Sequence, residues 1–87
     1  MEFEYDPRKS ASNLRKHGID FEQTKELWLD ARALIVTARV ADEERFAVVA
    51  QFGEKIWTCI FTIRDERIRI ISTRRARNEE EERYNQC

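Results

Sequence analysis

Two hydrophobic periods divide this chain near Asp30. At the start, Phe3 and Tyr5 alternate with Glu2 and Glu4, the signal of a short strand. Asp6-Pro7 then predicts an N-cap followed by proline at the first helical position. That helix runs to about His17 and stops at Gly18, which takes the left-handed conformation at little cost. Its apolar face is thin, formed by Ala11 and Leu14. Asp20 predicts the cap of a second helix, with Gln23 as its capping-box partner. Phe21, Thr24, Leu27 and Trp28 fall at helical spacing and predict a core-facing stripe.

Beyond Asp30 the period becomes two, predicting strands over Ala33–Arg39, Glu44–Phe52, Lys55–Ile63 and Arg67–Thr73. Gly53-Glu54 is a tight hairpin turn, and Asp65-Glu66 is a second, less ideal one. Phe46, Val48, Ala50 and Phe52 share one face of their strand. The next strand places Trp57, Cys59, Phe61 and Ile63 on one face and Ile56 and Ile60 on the other. Apolar residues on both faces predict that helices cover at least one of them. A last helix begins near Asn78, with Asn78 as cap, Glu81 in the capping-box position and Glu79 to Glu82 in the first turn. The predicted fold is α+β: two N-terminal helices, an antiparallel four-stranded meander sheet and a C-terminal helix, preceded by the short strand.

Length and composition narrow the function. Eighty-seven residues make one domain over 1–87, of a size that buries only about 60–65% of its unfolded surface. No apolar run approaches the roughly 20 residues of a membrane helix, and the N-terminus has no signal-peptide core, so a cytoplasmic protein is expected. Cys59 sits within a strand pattern and Cys87 is the last residue, so neither a disulfide nor a metal site is expected. A single histidine excludes a two-histidine acid–base site within one chain, and two glycines exclude a P-loop or dinucleotide fingerprint. Cys59 as a nucleophile paired with His17 is disfavoured by its place in a buried strand.

Arginine outnumbers lysine twelve to four, and six of the arginines lie between Arg64 and Arg77 in RDERIRIISTRRAR. Against a net charge of −1 this is a local concentration. The planar guanidinium gives an oxyanion two parallel donors, which points to nucleic acid. Taken singly each arginine reads as solvated strand surface paired with Glu66 or Glu79–Glu82; as a cluster they read as a nucleic-acid footprint. Trp28 and Trp57 read as core rather than base-stacking residues, and Tyr84 as either a packing anchor or a partner contact.

In sequence the chain resembles the BrnT family of bacterial toxins, over Phe3 to Tyr84. The resemblance rests on FEYDPRKSASNLRKHGIDFEQ, on Asp42-Glu43-Glu44-Arg45 opening the second long strand, and on RIRIISTRRAR followed by a Glu/Arg helix ending at Tyr84. It implies a RelE/ParE-like fold and an mRNA-cleaving toxin that stops translation. It further implies a cognate antitoxin of ribbon-helix-helix type, operator DNA bound only through the antitoxin complex, and a dimer within that complex. The arginines after the central and the "IIS" strands are functional candidates in that pattern, matching Arg64 and Arg74; the acidic positions match Glu22 and Asp42. The glutamate-rich NEEEERYNQ departs from the basic last helix of such proteins.

A metal-free, cofactor-free cleavage then needs preorganised cations around the phosphate. Arg64 and Arg74 are expected to meet at the scissile phosphate, with Lys16, Arg69, Arg75 and Arg77 on neighbouring RNA and His17 or Glu22 as base. The competing reading is a non-catalytic module that binds nucleic acid, or holds an antitoxin segment by docking on the sheet.

Overall fold

The computed structural model describes residues 2–40 and 43–86. Along the chain they form β1 (Glu2–Glu4), α1 (Pro7–His17), α2 (Phe21–Thr24), a 3-10 segment (Lys25–Leu29), β2 (Leu34–Val40), β3 (Glu43–Phe52), β4 (Lys55–Arg64), β5 (Arg67–Arg75) and α3 (Asn78–Gln86). The architecture is α+β, but the sheet is five-stranded and mixed, in the order β1-β5-β4-β3-β2. The expected meander is present as β2 to β5. To it β1 adds a parallel strand, with Glu2, Phe3 and Glu4 opposite Arg67, Ile68 and Arg69. Three alternating residues announce a strand but carry no information on a partner more than sixty positions away.

Local chemistry explains most boundaries. Asp6 accepts from the Arg8 amide at 2.9 Å and Pro7 opens α1, which ends at Gly18 with φ +82°. Asp20 and Gln23 form a reciprocal capping box, but α2 lasts four residues before tightening into the 3-10 segment. In α3 the expected cap is displaced by one residue. The Arg77 carbonyl accepts the first helical bond, from Glu81, and the Glu80 carboxylate reaches back to the Arg77 amide at 2.8 Å. Arg77 therefore occupies the N-cap and Glu80, not Glu81, closes the box.

Each face of the sheet buries a separate apolar layer. On the front, Ile19, Phe21 and Leu27 pack onto Val48, Ala50, Trp57, Cys59, Phe61, Ile68 and Ile70. On the back, Tyr84 of α3 packs with Val49 and Ile56. Burial pushes the Cys59 thiol up to about 12, which removes it as a nucleophile; Cys87 lies outside the described residues. Trp57 is core, and Trp28 meets Phe3 and Phe61 edge-on at 5.0 and 5.1 Å.

One irregularity redirects the last residues of β5. Ile60 lies opposite Ser72 while Phe61 lies opposite Ile70, so Ile71 is an extra residue in β5. Ile68 and Ile70 face the front, and after the bulge Thr73 and Arg75 do so as well. Strict alternation from Ile70 would have put Arg74 on the front; the bulge sends it to the back.

Candidate functional site

Helix α1 carries Arg8, Lys9, Arg15 and Lys16 with no acidic residue between Pro7 and His17. Lys9, Ser12 and Lys16 recur at helical spacing and line one side of a groove of about 220 Å³. Its remaining walls are Asn13, His17, Phe21 and, from the bulged segment of β5, Ile71 and Ser72. No carboxylate lines it. The groove exists because β1 stops opposite Arg69, leaving the outer edge of β5 open beyond that residue.

Asn13 holds α1 against this edge. Its amide nitrogen donates to the Thr73 carbonyl at 2.8 Å, and its oxygen accepts from the Thr73 amide at 3.1 Å. One side chain thus replaces a strand neighbour for Thr73, and the same nitrogen reaches the Ile19 carbonyl at 2.8 Å. Ser10 accepts from the Phe21 amide at 2.9 Å, and Thr24 bonds Thr73 at 2.9 Å, so α1, α2 and β5 are locked together around buried polar pairs.

The structure gathers some of the expected site residues and separates others. Lys16 and His17 share the groove. Arg69 lies two residues before Ile71, placing its backbone within about 7 Å of the groove floor. Arg64 and Arg74 both belong to the back of the sheet, but they do not meet. Arg74 is opposite Thr58 and Arg64 lies six residues further along β4, about 20 Å away. The expected convergence on one phosphate is overturned by this register. Arg75 stacks over the Trp57 ring at 5.7 Å on the front, and Arg77 caps α3. Asp42 lies outside the described residues.

Arg74 is also committed elsewhere. Its guanidinium grips the Glu80 carboxylate at 2.8 and 3.0 Å, and Glu80 further accepts from Thr58 at 3.0 Å. These bonds, Arg74's first, hold the Glu80 carboxyl at about 2. Arg67 and Arg69 lie near Glu2 and Glu4 at 3.4 and 3.5 Å, and Arg45 near Glu43 at 3.2 Å. Much of the arginine cluster is therefore neutralised within the fold. Glu22 accepts from the Tyr5 hydroxyl and from Lys25 at 2.9 Å, and these bonds keep its carboxyl below the usual range. That makes it a poor proton acceptor near neutrality. Among the described residues, no three His, Cys, Asp or Glu side chains group into a metal site, and no helix is long and apolar enough to cross a membrane.

A family model described as "Ribonuclease toxin, BrnT, of type II toxin-antitoxin system" matches residues 5–80. The chain belongs to this BrnT family. No curated protein matches it. Membership brings a ribonuclease toxin and a cognate antitoxin partner. The BrnT-matching region takes in α1, the groove and all of β5. Sequence reading missed Lys9, Ser12 and Ser72 as groove residues, whereas the pairing of the arginine cluster with Glu79–Glu82 is present as Arg74 with Glu80. It had one unused signal in Asn13, a poor helix former in mid-helix beside Ser10, which marks a side chain held by tertiary hydrogen bonds.

Proposed function

We propose that the chain cuts RNA without metal, with the scissile phosphate in the groove between α1 and the bulged edge of β5. The observation that carries this is the meeting of Lys9, Lys16 and His17 in one groove that no carboxylate lines. Cleavage transfers a proton from the 2′-hydroxyl to a base while that oxygen attacks phosphorus. The bond to the 5′-oxygen then breaks, that oxygen takes a proton from solvent and departs as a 5′-hydroxyl, and a 2′,3′-cyclic phosphate remains. His17 supplies the imidazole of the groove and acts as the base. The ammonium groups of Lys9 and Lys16 stabilise the charge that builds on the pentavalent phosphate. Arg69, and beyond it Arg64 on the back of the sheet, take neighbouring phosphates.

In this reading Arg74 is a positioning residue that fixes α3, and Glu22 orders Tyr5 and Lys25. The antitoxin is of ribbon-helix-helix type; operator DNA is bound only through the complex, in which the toxin is present twice, and the setting is the cytoplasm. Purified protein incubated with labelled RNA tests the chemistry. Cleavage should persist in EDTA, and His17→Ala and Lys16→Ala should each lower its rate by about 10²–10³ with folding intact. Wild-type cleavage by the double variant would overturn the site. Salt-sensitive RNA retention with no cleavage would replace the enzyme by a binding module.

A further inference from the structure

The front of the sheet is covered on one side only. Helix α2 and the 3-10 segment lie over part of it and leave a second, apolar groove of about 520 Å³ beside them. Its walls run from Phe3 on β1 through Phe61 and Phe46 to Ile35 on β2, with Trp28 and Leu29 along one side. Three of the four large apolar side chains exposed among the described residues line it: Leu29 at 78%, Ile35 at 54% and Ile63 at 50%. A sheet face left half-bare in this way lacks one element of its helical layer.

We propose that an amphipathic helix of the cognate antitoxin completes that layer, lying across the strands beside the 3-10 segment; this rests on the toxin–antitoxin reading. The groove crosses all five strands, so its four interstrand steps span about 19 Å, the length of a helix of about 13 residues. Such a helix offers apolar side chains at positions one, four or five, and eight to Phe61, Phe46 and Ile35. Lys25 is the one charged residue lining the groove, at its Phe3 end, and its charge is already met by Glu22 at 2.9 Å, so the groove asks for an apolar helix face. A second copy of this chain offers nothing comparable from its helices. The surface of α1 presents Leu14 alone as a large apolar group, and α3 is NEEEERYNQ.

The groove is separate from the α1 groove, sharing no lining residue with it. Binding and cleavage are therefore separable. Leu29→Glu and Ile35→Glu change exposed side chains and should leave both the thermal midpoint and RNA cleavage unchanged. Each should weaken calorimetric binding of the purified cognate antitoxin at least tenfold. In cells, both variants should arrest growth even when the antitoxin is co-expressed. Binding within twofold of the unaltered chain in both variants would overturn the proposal. So would an unmixed chain that sediments as a dimer and becomes monomeric on either substitution, since a second copy would then fill the groove. If the unaltered chain failed to cut RNA, the ribonuclease reading would fall while the calorimetry still decided the groove.

Discussion

Asn13 closes a backbone pair that no strand reaches, because β1 ends before Thr73. Replacing it by alanine leaves a buried amide and two carbonyls without partners, and the loss should be about 2–3 kcal/mol in urea denaturation. One residue further along β5, Arg74 grips the Glu80 carboxylate, which is held at about 2 against an ordinary 4.5. A depressed carboxyl stabilises the fold above its unfolded value, and that contribution fades as pH falls from 4.5 towards 2. Its side chain is about a quarter exposed, so screening takes part of the effect. Glu80→Gln should destabilise by about 2 kcal/mol at pH 7, and the gap to the unaltered protein should close across that acid window. Equal stability of the two at pH 7 would show that the Arg74–Glu80 pair contributes nothing.

Elements were legible where their signals are local. The caps at Asp6 and Asp20, the stop at Gly18 and the turn at Gly53 each follow from chemistry within four residues, and each appears as the sequence implied. Asp65-Glu66 also turns, with both residues at positive φ, 51° and 65°. Aspartate tolerates that conformation but glutamate does not, and Asn-Gly suits both positions best. Asp65→Asn with Glu66→Gly should therefore raise stability by about 1 kcal/mol, a gain of roughly 4–8 °C in thermal midpoint. No gain would mean that the turn is held by its strands. The cap of α3 was misplaced because Asn78 is a better intrinsic cap than Arg77, yet the side chain that reaches back is the one already fixed by Arg74 and Thr58.

At the scale of the whole molecule, a net charge of −1 conceals a basic helix and an arginine-bearing sheet. RNA held by Lys9 and Lys16, and by Arg69 once it exchanges Glu4 for a phosphate, neutralises about three phosphates. The logarithm of its affinity should then fall with the logarithm of salt at a slope of about −2 for single strands. Filter retention from 50 to 300 mM salt, about a Debye length of 14 to 6 Å, would reveal it. A slope near zero would remove phosphate contact from the account. The arginine-rich segment read as one footprint, but alternation divides it between two faces and carboxylates from β1 and α3 offset three of its members.

From the sequence alone came the helices and hairpins, the apolar stripe of the front layer, the family and the basic character of the chain, because each depends on neighbours or on residue type. The tertiary structure decided what those residues face. An extra residue at Ile71 turns Arg74 to the back of the sheet, the pairing of β1 ends before Ser72, and α1 is tied by Asn13 to the edge that this leaves. A bulge reverses every side chain after it without changing the hydrophobic pattern before it, and strand partners far apart in the chain leave no local trace.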